Sequence, residues 1–415
     1  MEGLRKLKKK YDVLILFLFF YPDQVTASRL SYEMAQDLVA KGLKVKVLCG
    51  MSKKYNVKTP VSRVETINGI DVKRLKYIQL PRSLKIGRII NYFSFLFSVI
   101  INWSKLLNNK CTIVYSDPPI LPLIASINKS LFKVKYIFVS NDIYPDIALA
   151  THQISENSFI YKVMNKVNNR MDKNVDKIIA LSGDMKNYIL KTREKITSNQ
   201  IAVIPNWYDK SNIDTSDNIE DAEIIELREK YSLIILYSGN IGIAQDIQTI
   251  IETAKELKYS KEISFIFTGN GQKIEHLKTE IENHQLTNIR LYDFLTDTKY
   301  ADMLKVADAH VISLMNGVEG MAVPSKTYSY MSIGKPLIAI MSEDTDIAKD
   351  IQFHNLGCVL QQGDVETFAE YVLYLLNNRS EVEKIGEKVR KVFSENYTRE
   401  LSVAKYYKVI TEVIS

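Results

Sequence analysis

Short apolar runs alternate with longer amphipathic stretches from one end of the chain to the other, and this alternation constrains the fold more than any other feature. In the first half the runs are residues 13–20, 45–49, 112–115, 136–139, 177–181 and 201–204. In the second half they are 234–237, 264–268, 289–292, 309–314, 337–340 and 357–360. The runs are short and mostly apolar rather than strictly alternating, as parallel strands covered on both faces are. Between them Ile160, Val163, Met164, Val167, Met171 and Val175 recur three or four apart, the spacing of a helix lying on a sheet. The pattern predicts an α/β protein with two Rossmann-like, doubly wound parallel sheets. A length of 415 residues agrees, because single cores stop growing near about 250–300 residues. The seam is expected after Ile204-Pro205-Asn206, giving domains 1–205 and 206–397, with the polar segment 209–222 as a linker or long surface loop. Residues 398–415 read as a capped amphipathic helix that packs back toward the first domain. Two such sheets facing each other are expected to leave a cleft at the carboxyl ends of their strands, where open α/β sheets take their ligands.

Composition excludes other classes. The chain is 46% hydrophobic and 25% charged with 16 Gly and 10 Pro, too balanced for a disordered or collagen-like protein. Three scattered cysteines (Cys49, Cys111, Cys358) support neither a disulfide framework nor a four-cysteine zinc site, which points to a reducing, cytoplasmic compartment. Charge is uneven. The net charge is +7, yet Met1–Arg88 alone carries 19 Lys/Arg against 7 Asp/Glu. An anionic partner is expected there. No zinc-finger spacing or aromatic RNA-binding pattern accompanies the charge, so nucleic acid is not the expected partner. The basic leader 1–10 followed by the apolar run 13–20 imitates a signal peptide, but the run ends in Tyr21-Pro22-Asp23 without small cleavage-site residues. A first buried strand behind a basic leader is the reading adopted.

Residues 89–104 stand apart. They contain no charged side chain, and Arg82, Lys85 and Arg88 precede them. Asn91, Ser94, Ser98 and Asn102 form one narrow polar stripe, while Phe93, Phe95, Phe97, Ile100 and Trp103 belong to a wide apolar surface. Two readings fit: a helix lying in the interface of an anionic membrane, or a buried core or dimer helix. The basic first fifth of the chain favours peripheral contact with the inner face of the cell membrane through 1–10 and 82–104.

Several chemistries are missing. The five histidines show no metal-ligand spacing, and neither a G-x-x-x-x-G-K-[ST] loop nor a G-x-G-x-x-G turn after the first strand is present. Asp344-Thr345-Asp346 has the D-x-D form of some metal-dependent sugar transferases, but a helix N-cap is the simpler reading. The positive signals lie in the second half. Tyr237-Ser238-Gly239-Asn240-Ile241-Gly242, with Gln245 nearby, follows one apolar run, and Phe267-Thr268-Gly269-Asn270-Gly271 follows the next. Glycine at a strand end lets a ligand approach the backbone. Farther on, Pro324-Ser325-Lys326 opens a helix continuing through Ser329, supplying free N–H groups, a hydroxyl and an ammonium, which together suit a diphosphate.

The succession Y-S-G-N-I-G-x-A-Q, F-x-G-N-G, V-P-S-K-T-Y-S-Y-M and G-K-P-L-I-A resembles the nucleotide-sugar half of glycosyltransferase family four, retaining enzymes of the GT-B fold that build bacterial surface polysaccharide. Phe20-Tyr21-Pro22, Asp117-Pro118-Pro119, Asn141-Asp142-Ile143-Tyr144-Pro145-Asp146 and Ile204-Pro205-Asn206 are similar to its acceptor domain. The branch most similar transfers N-acetylated amino sugars to a lipid-linked saccharide, in capsule and O-antigen synthesis. The resemblance implies a UDP-sugar donor held by Gly239, Asn240, Gln245, Gly269, Asn270, Phe294, Pro324, Ser325, Lys326 and Ser329. It implies Asp142, Glu319 and Lys326 as the catalytic set, and no metal. Two family glutamates are replaced: their slots fall on Met321 and Ser329, with Glu319 two residues before the first. The family's usual Arg and Lys stand here as Asn240 and Gln245. Lys326 and Ser325 are then expected to stabilise charge on the departing phosphate, Glu319 to hold the sugar, and Asp142 to orient or deprotonate the acceptor or else to cap a helix. A GT-B-type UDP-sugar epimerase and a non-catalytic nucleotide- or lipid-binding partner of a transferase share the architecture and remain as alternatives.

Overall fold

The computed structural model describes residues 10–23, 25–51, 61–80, 85–209, 218–295 and 297–415. Most of the basic leader, Arg82 and most of the polar segment 209–222 lie outside the described residues. The chain forms two compact units, one reaching to Pro205 and including Arg399–Ser415, the other Asn206–Thr398.

The first unit is built on an eight-stranded sheet. In chain order its strands are β1 (Tyr11–Leu16), β2 (Val45–Gly50), β3 (Val64–Ile67), β4 (Ile70–Leu75), β5 (Asn109–Tyr115), β6 (Lys135–Ser140), β7 (Lys177–Ala180) and β8 (Ile201–Val203). In space the order is β3-β4-β2-β1-β5-β6-β7-β8, and every pairing is parallel except β3 with β4. Those two form a hairpin about Asn68-Gly69, whose φ angles of 49° and 77° fit a two-residue turn. Strand order reverses between β2-β1 and β1-β5, with Leu16 opposite both Leu48 and Val114. The apolar run 13–20 is not all strand. The ladder stops at Leu16, and residues 17–20 stay buried by aromatic packing: Phe17 stacks on Tyr115 at 4.5 Å and Phe20 meets Tyr32 edge-on at 5.7 Å. The final helix, Arg399–Ile414, belongs to this unit. Arg399 grips both carboxylate oxygens of Asp37 (2.9 and 2.7 Å), and Val403, Tyr406, Val409, Ile410 and Val413 are buried.

The second unit carries β9 (Leu233–Asn240), β10 (Ile263–Asn270), β11 (Ile289–Tyr292), β12 (Ala309–Ser313), β13 (Leu337–Ile340) and β14 (Gly357–Leu360). All are parallel, in the order β11-β10-β9-β12-β13-β14. The order reverses between β9 and β12, which is where such sheets open to ligands. Helices cover the faces, and the core of Ile235, Phe265, Phe267, Val311, Ile338 and Phe368 is almost free of solvent.

One buried charge organises this unit. Asp308, 3% exposed, accepts from Ile234 N–H at 2.7 Å, from Arg228 Nη1 at 3.0 and 2.8 Å, and from Arg379. Asp308→Ala strips a buried N–H and two part-exposed guanidiniums of their partner, an expected loss of about 2–3 kcal/mol. A lower urea midpoint at unchanged slope is the readout. Among the described residues no helix is long and apolar enough to cross a membrane.

Candidate active site

The loops at the carboxyl ends of β9, β10 and β12 are tied into one structure. Ile241 N–H donates to Asn270 C=O (3.0 Å), Met315 N–H to Ala244 C=O (2.8 Å), and Asp246 N–H to Ser313 Oγ, which returns a bond to Asp246 C=O (both 2.8 Å). Asp246, buried beneath the loop, accepts from Gln248 N–H at 3.0 Å where the helix Gln248–Glu256 begins. Lys273 donates to Gln245 C=O at 2.6 Å, and burial holds its pKa below the usual lysine range.

The glycines here serve the protein's own packing. β9 and β10 stay in register to their last residues, Gly239 opposite Gly269 and Asn240 opposite Asn270, so both strands run three residues or so beyond their apolar cores. A Cβ on Gly269 would lie 1.9 Å from Gly239 O. Gly269 is therefore required by the neighbouring strand, a packing reason for glycine that the sequence expectation did not include. A Cβ on Gly239, at φ 137°, would meet Lys326 Cγ and Cε at 3.3 Å. The missing side chain leaves a channel along which Lys326 runs.

Lys326 is the first residue of the helix Lys326–Ile333. Its Nζ donates to Tyr300 Oη at 3.2 Å and sits 4.6 Å from the ring centre. Burial would push the Tyr300 phenol up, but the Lys326 ammonium and hydrogen bonds with Ser329 and Ser238 outweigh it and hold the group below its ordinary value. Ser329 Oγ lies 3.4 Å from Tyr300 Oη and donates to Lys326 C=O at 2.8 Å, so it supports the pair from within the helix. Tyr330, one residue on, accepts from Ser238 N–H (2.7 Å) and donates to Ser238 C=O (2.9 Å), pinning the end of β9 to this helix. Its ring stacks at 4.5 Å on His310, which burial drives down to a pKa of about 3, leaving a neutral imidazole with Nε2 3.0 Å from Leu304 C=O.

The structure thus brings Gly239, Lys326 and Ser329 together and adds Tyr300 and Ser238 to them. The other expected donor-binding residues stand on strand ends and loops at the same end of this sheet. Asn240 and Asn270 are exposed, with Asn270 Oδ1 accepting from Gly271 N–H at 2.7 Å. Gln245 keeps a solvent-free side-chain oxygen with no hydrogen-bond partner among the described residues. Phe294, beyond β11, is 57% exposed. Pro324 C=O accepts from Thr327 N–H at 3.2 Å, and Ser325 occupies the cap position without using its side chain to cap. Glu319 turns its carboxylate back on Gly317 N–H, at 3.1 and 2.9 Å. Thr345, between Asp344 and Asp346, accepts from Ala348 N–H as the N-cap of the helix Asp346–His354.

Asp142 belongs to the first unit, in the loop after β6. The loops after β5 and β6 meet at Ser116, whose Oγ accepts from Asn141 N–H (3.2 Å) and Asp142 N–H (3.4 Å). The helix Asp146–Ala150 is preceded by Pro145 and takes no side-chain cap, so the capping reading of Asp142 is not realised. Burial, reinforced by the neighbouring Asp117 carboxylate, raises Asp142 to a pKa of about 6. Tyr300 and Asp117 were the residues sequence reasoning missed. Nothing local marks Tyr300, whereas Asp117 already stood in a strand-end motif.

Residues 27–212 match the family model described as Glycosyltransferase Family 4, and residues 218–392 the one described as Glycosyl transferases group 1. A curated relative, "Probable glycosyltransferase WbjE" of Pseudomonas aeruginosa, is 22% identical over 345 residues, covering 81% of this chain and 84% of its own. Another, "Putative colanic acid biosynthesis glycosyl transferase WcaI" of Escherichia coli (strain K12), is 27% identical over 182 residues, 42% of this chain and 43% of its own. Among solved structures, sucrose-phosphate synthase from Thermosynechococcus elongatus aligns with a TM-score of 0.73 at 14% identity, covering 97% of this chain and 99% of that one. HepE from Anabaena, solved in complex with UDP, aligns with a TM-score of 0.68 at 11% identity, covering 97% and 100%. Two nucleotide-fold units, each matched by a glycosyltransferase model in its own half of the sequence, make this chain a glycosyltransferase with the GT-B fold.

Proposed function

We propose that the protein transfers a sugar, an N-acetylated hexosamine, from a UDP-sugar to a lipid-linked saccharide with retention of configuration, as a step in bacterial surface-polysaccharide synthesis. The observation that carries the reading is the Lys326 side chain laid along Gly239 at the point where strand order reverses, its ammonium held by the phenol of Tyr300. The related structure that binds UDP, and the relative named for colanic acid synthesis, support the donor class and the setting.

In the proposed reaction the bond from the anomeric carbon to the β-phosphate oxygen breaks while the acceptor hydroxyl oxygen bonds to that carbon. Negative charge builds on the leaving diphosphate. Lys326, Ser325 and the amides at the helix start meet it more strongly in the transition state than in the ground state. The acceptor proton passes to the leaving phosphate or to Asp142. Glu319 holds the sugar hydroxyls once it releases Gly317 N–H. The ammonium, rather than a divalent cation, is the counter-charge.

Incubation with a panel of UDP-sugars, with and without a lipid-linked saccharide and with and without EDTA, tests this. The expected result is acceptor-dependent UDP release that survives chelation, from an N-acetylhexosamine donor. Sugar conversion without acceptor points to an epimerase, and UDP binding without release from any donor to an inactive partner; either overturns the proposal.

A further inference from the structure

The helix Lys85–Ile101 is turned opposite to an ordinary surface helix. Its polar stripe faces the protein, where each member bonds to the segment 73–80. Asn91 accepts from Leu80 N–H (2.8 Å) and donates to Leu80 C=O (2.9 Å), and Ser94 accepts from Ile78 N–H (3.0 Å). Ser98 donates to Lys76 C=O, and Asn102, just past the helix end, accepts from Lys73 Nζ (2.9 Å). Phe95, Leu96 and Val99 are buried on that side. The outer face is Ile86, Ile89, Ile90, Phe93, Phe97, Ile100 and Ile101, a continuous stripe at helical spacing, with Phe93, Phe97 and Ile101 60–68% exposed. Globular proteins normally direct such a stripe inward and their serines and asparagines outward.

Cations collect at one end of this helix. Lys46, Lys73 and Lys105 gather at the carboxyl end of the helix; burial lowers the pKa of the first two, and repulsion from Lys105 lowers them further, with Arg63 adding to Lys73 and Lys10 to Lys46. Asp71 is the carboxylate acting on Lys46 from within the cluster. From Val72 to Ser116 the sequence has no Asp or Glu at all.

We infer that this helix is a docking surface for an anionic lipid bilayer, lying in the plane of the interface with its apolar stripe among the acyl chains and the basic cluster at the headgroup phosphates. At 1.5 Å per residue its 17 residues span about 25 Å, and no described helix crosses a membrane, so it rests on the bilayer rather than traversing it. A second copy of the chain is the weaker occupant. A two-fold contact would set this cation-rich surface, in which Asp71 faces three lysines, against itself, whereas phosphatidylglycerol supplies the opposite charge. The inference does not depend on the transferase reading.

The test is sedimentation of the full chain with vesicles of equimolar phosphatidylglycerol and phosphatidylcholine, against phosphatidylcholine alone, at low and high salt. Expected is binding to the anionic vesicles that weakens with salt and falls roughly tenfold or more in Phe93→Ser/Phe97→Ser. Both side chains are exposed, so the variant keeps the wild-type circular dichroism spectrum and melting temperature. A charge-reversing Lys105→Glu variant checks the basic cluster separately and is expected to lose binding at low salt. The inference is overturned by absence of binding at low salt, by equal binding to phosphatidylcholine, by wild-type binding of the double variant, or by a dimer that the double variant dissociates.

Discussion

Lys326→Ala lowers turnover by about 10²–10³-fold, the scale set by losing one preorganised group at developing charge. The loss appears in kcat more than in KM for the donor, because the diphosphate gains most of its charge as the sugar leaves. The fold survives the change. Tyr330 pins the end of β9 through both backbone groups of Ser238, and that tie does not involve Lys326. Lys326→Arg recovers little, since the channel over Gly239 is matched to an unbranched chain that ends on Tyr300 Oη, and the planar guanidinium does not reproduce that point contact. Steady-state kinetics with the preferred donor, alongside the far-ultraviolet circular dichroism spectrum, checks all three statements.

The second large effect is expected at Asp142. If it orients or deprotonates the acceptor hydroxyl as proposed, its conversion to Asn costs about 10²–10³-fold in turnover. The pH profile separates the two roles. A base must be ionised, and Asp142 titrates at about 6 because it is buried and lies near Asp117. If it is the base, kcat/KM falls as pH drops through about 6, and the fall is absent in Asp142→Asn. Asp117→Asn removes the like charge, eases ionisation of Asp142 and moves the acid limb to lower pH. An acid limb that stays in place in Asp117→Asn, or persists in Asp142→Asn, assigns the titration to another group.

Legibility in the sequence followed how local each determinant is. Strands buried on both faces, such as 337–340, are apolar at every position and stand out. Where a strand end is dictated by a neighbour, the sequence misleads. Residues 238–240 and 268–270 read as turns because of their glycines, yet Gly269 is glycine so that two adjacent strands can remain paired. The β3–β4 hairpin was missed although Asn68-Gly69 announces it, because Glu65, Asp71 and Lys73 interrupt the apolar pattern of an edge pair. The width of the apolar surface on residues 89–104 was legible, but which face turns inward depends on the backbone of 73–80, a partner no periodicity reveals. Lys326 was legible because it opens a helix inside a recognisable motif. Tyr300 was not, since its contact with Lys326 is made by the fold from 26 residues away. Asp142 was named from its motif, whereas its raised pKa arises from its burial in the fold, with Asp117 on the neighbouring strand end adding to it.

A crystal structure of the protein soaked with UDP tests the central claim most directly. The account predicts the diphosphate at the carboxyl ends of β9 and β12, with Lys326 Nζ on a phosphate oxygen rather than on Tyr300 alone among the described residues. UDP bound elsewhere, with the Lys326 side chain still closed on Tyr300, contradicts it.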